Sequence, residues 1–171
     1  MSDGSRVLVA LRVPAPASRA FAIFTERIAD WWRPGSLFAF TDRTGTLAFE
    51  PGPAGRLVET YADGDSFVIG HVRVWEPPRR LVLSWRQASF AADEETELHV
   101  RFDEIRDDAN RPVQTRVTVE HVGWDRLPPA HEARHGFPLA TFQLRFAEWW
   151  QLLLHEIAQL AAAPRGADPA G

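Results

Sequence analysis

Two arrangements of residues in this sequence could do chemistry. The first is His131-Glu132-Ala133-Arg134-His135, which fits the H-E-x-x-H pattern. On a helix, positions i and i+4 share a face, so both imidazoles could hold one zinc ion while Glu132 activates a metal-bound water. Glu148, His155 or Glu156 could supply a third ligand. However, Pro128-Pro129 lies just upstream, and Gly136 and Pro138 just downstream, which leaves about two helical turns. A surface turn is the plainer reading, and no resident metal or other cofactor is expected; His131 and His135 remain the weak candidates. The second arrangement is Glu59 with His121. If Leu57 faces the interior of a sheet, so do Glu59 and Tyr61, and His121 follows Val117 and Val119 onto an apolar face. A carboxylate and an imidazole projecting into an apolar cavity could orient a polar ligand group or transfer a proton. The plainer alternative pairs Glu59 with Arg56 or Arg86 and has His121 bond to backbone.

The residues that are missing narrow the chemistry further. There is no Cys, which excludes thiol nucleophiles, disulfides and thiolate metal sites. All 19 basic residues are Arg, so a Schiff-base or phosphate-loop lysine is excluded. A net charge of −4 argues against general nucleic-acid affinity. Seven Trp and eleven Phe stand against one Tyr, an excess of aromatic surface that fills a core or lines an apolar pocket.

These side chains must be carried by definite elements. Arg6 to Val13 alternates as a first strand, ended by Pro14 and Pro16. Ser18 is the expected N-cap of a helix carrying Phe21, Phe24 and Ile28, with a break near Glu26 and a second short helix from Ile28 to Trp32. Neighbours on a helix lie about 100° apart, so one of Trp31 and Trp32 is expected to face inward and the other to cap a cavity mouth. From residue 45 the period becomes two. Strands are predicted at 46–50, 55–61, 66–75, 80–87, 95–103 and 115–122, separated by turns such as Ala62-Asp63-Gly64-Asp65 and Glu76-Pro77-Pro78. A long helix follows, with Phe142, Phe146, Trp149, Trp150, Leu153, Ile157 and Leu160 forming its apolar stripe. Short successive connections favour a meander, and only the last helix is long enough to cover its apolar face. A curved sheet around a helix leaves a space, and that space is the predicted site.

The run Gly70-His71-Val72-Arg73-Val74-Trp75-Glu76-Pro77-Pro78-Arg79-Arg80-Leu81-Val82-Leu83-Ser84-Trp85 closely resembles the strand–turn–strand signature of the heat-shock ATPase activator homologues, within the START-like (SRPBCC) superfamily. Ala29-Asp30-Trp31-Trp32, the Phe49–Arg56 turn and Thr115-Arg116-Val117-Thr118-Val119-Glu120-His121 are similar to further family segments in the same order. The resemblance spans roughly residues 6 to 160 and implies a helix-grip fold with a hydrophobic cavity under the C-terminal helix. The stretch from Gly123 to Leu139 departs from the pattern.

The expected fold is therefore α+β, an antiparallel sheet of six to seven strands gripping a long C-terminal helix. Residues 1–171 are expected to form a single domain with its core at about 6–160 and a frayed tail at 161–171. The expected function is binding of a small, mostly hydrophobic molecule. Glu59 and His121 would be its polar anchors, among Trp31, Trp85, Phe102, Phe142, Phe146 and Trp149. The alternatives are a cyclase- or hydrolase-type enzyme using Glu59 and His121, and a protein-interaction module of the chaperone-activator kind. A homodimer is compatible with all three. No segment reaches the roughly 20 apolar residues of a membrane span, and the polar start, Met1 to Arg6, lacks signal-peptide character, so a cytoplasmic location is expected.

Overall fold

The computed structural model describes residues 6–35 and 37–163. Strand β1 (Arg6–Val13) leads into helices α1 (Ala17–Glu26) and α2 (Ile28–Trp31). Six strands follow: β2 (Thr46–Phe49), β3 (Arg56–Thr60), β4 (Ser66–Glu76), β5 (Arg80–Trp85), β6 (Thr96–Arg106) and β7 (Pro112–Val122). Two 3₁₀ turns, Trp124–Arg126 and Glu132–Arg134, precede helix α3 (Leu139–Ala162). The seven strands form one sheet in the order β1-β7-β6-β5-β4-β3-β2, and every pairing is antiparallel. The meander from β2 to β7 is as predicted, and β1 closes it by pairing with β7. Helix α3 lies along β1 and against α1 and α2, so the architecture is a helix-grip fold. Of the stretch expected to fray at 161–171, Ala161 and Ala162 belong to α3. Residues 164–171 lie outside the described residues.

Sheet curvature has a local cause. The β4–β5 register shifts between Val72 and Val74, and the β3–β4 register shifts at Leu57/Val58. Gly70 sits beside this irregularity, where a Cβ would collide with the Ser84 carbonyl, so only glycine lets β4 approach β5 so closely. The Ser84 hydroxyl then accepts the His71 N–H at 2.9 Å. Ser84 is buried beneath this contact.

Two local expectations were corrected by tertiary contacts. Helix α1 starts at Ala17 with Pro16 at its N-cap, not Ser18. Proline offers no hydroxyl, and a carboxylate from β6 does the capping instead, with Glu104 Oε1 accepting the Ala17 N–H at 3.1 Å. Trp31 and Trp32 are both buried, because Trp32 stands beyond the end of α2 with φ −67° and ψ 130°. Its extended backbone releases it from the helical 100° rule. Trp31 turns into the core and donates Nε1–H to the carbonyls of Ile23 and Phe24, while Trp32 stacks on Phe40.

The interior is one continuous core, rich in aromatic rings. Phe21 and Phe24 of α1 meet Phe102 of β6 at 5.1 and 5.8 Å between ring centroids. Phe146 of α3 reaches His121 of β7 at 5.0 Å, and Trp150 reaches Trp85 of β5 at 6.1 Å. Each such ring contributes on the order of 2–3 kcal/mol through burial alone.

Candidate functional site

Strand β3 alternates as predicted, so Leu57, Glu59 and Tyr61 all face inward and are buried. A buried carboxylate needs hydrogen bonds. Glu59 Oε1 accepts the Tyr61 hydroxyl at 2.7 Å, and that hydroxyl is 2.8 Å from the hydroxyl of Thr41. Burial, reinforced by the bond to Glu59, raises the Tyr61 phenol above its ordinary pKa, so it stays protonated and donates. The Arg43 guanidinium lies 4.1 Å from the Tyr61 ring centroid and pairs with Asp63 at 2.7 Å. Arg56 and Arg86 do not pair with Glu59. Arg56 binds Glu50 at 2.7 Å, and Arg86 donates to the Phe90 and Ala91 carbonyls.

Glu59 faces a cleft of about 310 Å³. Its walls include Trp32, Phe40, Thr41, Arg43 and Leu47, so an apolar body and a few polar groups converge on one carboxylate. The roof is the chain between Trp32 and Thr46, which forms neither helix nor strand at the described positions. Gly45 makes this roof possible. A Cβ there would stand 2.6 Å from the Thr60 carbonyl oxygen and 2.7 Å from Glu59 Cγ, so a larger residue would lift the roof off Glu59.

His121 is placed differently. It faces inward on β7, as predicted, but three strands separate β7 from β3 in the sheet. Its ring is fully buried among Trp85, Trp124 and Phe146, with centroids 5.3, 5.1 and 5.0 Å away. Thr96 Oγ1 donates to the Trp85 carbonyl at 3.1 Å, so it is left to accept from His121 Nε2 at 2.7 Å. That assigns the proton to Nε2 and leaves Nδ1 a bare acceptor, without a partner among the described residues. Burial, with a smaller contribution from His99, pushes the imidazole down to about 3, so it is neutral. The partner of His121 is thus a side-chain hydroxyl rather than the backbone.

The predicted aromatic residues divide between core and cleft. Trp31, Trp85, Phe102, Phe142 and Phe146 are packed in the interior. Trp149 stands at the edge near the cleft, where it donates Nε1–H to the Arg33 carbonyl at 3.1 Å and packs on Phe38. Phe38, Phe40 and Thr41 were not among the expected site residues, and Trp32 was expected there only as one of two candidates for the cavity mouth. The segment that carries Phe38 to Thr41 has neither a period of two nor one of 3.6. Its only signal is a short apolar run, Leu37 to Phe40, with two phenylalanines two apart.

The H-E-x-x-H segment is not an α-helical turn. Only Glu132–Arg134 is helical, as a 3₁₀ turn, and His135 is left-handed with φ 53°. His131 accepts the Ala133 N–H through Nδ1 and meets Glu94 through Nε2, both at 3.1 Å. His135 Nε2 donates instead to the Leu37 carbonyl, so the two imidazoles serve different partners. Among the described residues no group of three or more His, Cys, Asp or Glu side chains is arranged to hold a metal ion. What fixes this stretch is Arg134, buried at 2% exposure. It donates to the carbonyls of Leu127 at 2.6 Å and Phe137 at 2.8 Å, with a longer approach to Trp124.

The sequence family described as activator of Hsp90 ATPase homolog 1-like protein matches residues 14–162. The chain belongs to this family. The resemblance read at residues 70–85 thus holds across nearly the whole chain. No functionally curated protein matches the sequence. Among solved structures, an HSP90 activator from Plasmodium falciparum superposes with a TM-score of 0.59 at 14% identity, over 94% of this chain and 98% of that one. CalC, a self-sacrificing resistance protein from Micromonospora echinospora, gives 0.57 at 23% identity, over 92% and 94%. The anthrahydroquino-γ-pyrone synthase Txn09 gives 0.52 at 28% identity, over 91% and 96%. These three proteins share the fold under different descriptions, so the fold by itself does not fix the task. Among the described residues no helix is long and apolar enough to cross a membrane.

Proposed function

We propose that this protein binds a small, mostly hydrophobic molecule in the cleft between the 33–45 segment and β3, with Glu59 holding a hydroxyl or amine of the ligand. The observation that carries this reading is Glu59 itself. It is a carboxylate with one oxygen committed to Tyr61 and the other without a protein partner among the described residues, in a cleft walled by Trp32, Phe40 and Leu47. Buried polar groups in a dry site orient a ligand more than they attract it, and the aromatic walls supply the affinity. Tyr61 and Thr41 fix the carboxylate from behind. His121 then serves as a packing residue of the core.

The enzyme reading that pairs Glu59 with His121 gains no support from their placement, since one faces the cleft and the other is enclosed by rings. The interaction-module reading gains little from the surface. The large exposed apolar side chains among the described residues are Leu8, Val113, Leu144 and Leu152, spread over three elements.

The test is equilibrium binding of 2-hydroxyfluorene, a flat hydrocarbon with one hydroxyl, followed by tryptophan fluorescence. Glu59→Gln keeps the shape and removes the charge, and is expected to weaken binding about tenfold. Equal affinity of wild type and variant would sink the proposal.

A further inference from the structure

Two features of the interior remain unexplained by the cleft alone. The first is what fills the space between sheet and helix. Phe38 and Phe40 come from the roof segment, not from a helix or strand, and both are buried at 5% exposure. Phe38 packs on Phe146 and Trp149 of α3 at 4.8 and 5.1 Å. Phe40 is stacked on Trp32 at 5.2 Å, with an interplanar angle of 23°, and meets Trp85 edge-on at 5.0 Å. A second cleft, of about 460 Å³, lies on the other side of the same segment and is lined by Gln87, Ala88 and His135. Ala39, Phe40, Thr41 and Asp42 line both clefts, so this short stretch is the partition between them. Its attachment is sparse. The Phe40 carbonyl accepts the Ala88 N–H at 2.7 Å, the Leu37 carbonyl accepts from His135 Nε2, and Thr41 meets Tyr61.

The second feature is a set of orphaned polar atoms. The indole N–H groups of Trp85, Trp124 and Trp150, with His121 Nδ1, are buried without a hydrogen-bond partner among the described residues. Buried donors are rarely left unpaired, and each such case calls for a partner. These rings form one connected cluster: Trp85 touches Trp150 and His121, and His121 touches Trp124. Trp85 is also the ring against which Phe40 packs. Phe40 thus lines both clefts and packs on one ring of this cluster.

We propose that residues 37–41 are a removable plug, and that the ligand of this site is a planar aromatic molecule whose carbonyl oxygen meets the Trp85 or Trp150 N–H once Phe40 withdraws. The proposal rests on the ligand-binding reading above and adds the ligand's second polar group and its route inward. A flat ring taking the place of Phe40 keeps the stack on Trp32. Three donors against one acceptor select an oxygen acceptor over a further hydroxyl. Withdrawal of Phe40 also joins the two clefts, giving the ligand more length than the outer cleft provides.

The experiment compares 2-hydroxy-9-fluorenone with 2-hydroxyfluorene, which share ring system and hydroxyl and differ in the ketone. The full chain is labelled with ¹⁵N-tryptophan, and the seven indole resonances are assigned by single Trp→Phe substitutions. The ketone is expected to bind at least about tenfold tighter and to shift the Trp85 or Trp150 indole resonance, which the hydrocarbon leaves in place. Phe40→Ala is expected to tighten ketone binding about tenfold, because the plug no longer competes. His135→Ala releases the plug from its Leu37 anchor and gives up one edge contact on Phe38, and is expected to tighten binding in the same direction if Phe40→Ala does not fold. If both probes bind equally, depend on Glu59 and move no indole resonance, the plug proposal is overturned while the outer-cleft reading stands. If neither probe binds, both are overturned.

Discussion

Replacing His121 by glutamine tests whether the interior is as dry as the ring contacts imply. In the folded chain the imidazole titrates at about 3, against 6.5 for an ordinary histidine, because burial excludes the charged form. The unfolded chain therefore binds a proton between these values and the folded chain does not. Stability contributed by this group is intact above 6.5 and is lost as pH falls toward 3. The slope is about 1.4 kcal/mol per pH unit, so the loss between pH 7 and pH 5 is about 2 kcal/mol, and its ceiling near the folded pKa is about 4–5 kcal/mol. The glutamine side chain would keep a donor within reach of Thr96 Oγ1 and cannot titrate. The assay is urea unfolding followed by tryptophan fluorescence at several pH values for both proteins. The other five histidines are common to both, so their titrations cancel in the difference. The expected result is that wild type loses about 2 kcal/mol more than the variant from pH 7 to pH 5. Parallel pH profiles, or an imidazole NMR signal of His121 titrating near 6.5, would refute the reasoning.

Two further substitutions probe how the rest of the chain is held. Arg134→Met keeps the apolar stem and strands the Leu127 and Phe137 carbonyls, and should cost about 3 kcal/mol or more in urea unfolding; a loss below about 1 kcal/mol would show that these carbonyls find other partners. Arg73→Ala removes the exposed pairs with Glu95 and Glu97 on the outer sheet face, and should cost less than about 1 kcal/mol, less still at high salt. A loss comparable to that of Arg134→Met would mean that the outer face is more tightly coupled than its exposure suggests.

Much of this architecture was readable in advance, for reasons tied to particular residues. Val117, Val119 and His121 recur at a period of two, and one buried face is enough to fix their register and inward direction. The same rule put Leu57, Glu59 and Tyr61 on one face. Phe142, Phe146, Trp149 and Trp150 recur at helical spacing, and a stripe that wide requires a sheet beneath it. The Pro-Pro turn and its flanking strands carried the family resemblance. These are properties of local periodicity, which the chain displays whether folded or not.

What failed in the sequence reading depended on contacts between distant positions. The α1 cap came from Glu104, 87 residues away from the N–H it binds. Trp32 turned inward because α2 ended one residue earlier than a continuous helix would have. The H-E-x-x-H segment was read as a surface turn, and only the structure shows that Arg134 holds the surrounding carbonyls about a 3₁₀ turn there. The separation of Glu59 from His121 depends on strand order, which alternation along each strand does not encode. The partition made by Phe38 and Phe40 comes from an aperiodic segment whose side chains have no preferred direction of their own. The sequence by itself determined which residues point inward, because that is a question of period. Only the tertiary structure decided which of those residues share a cleft, because that depends on how a curled sheet, a helix end and an aperiodic roof close around one another.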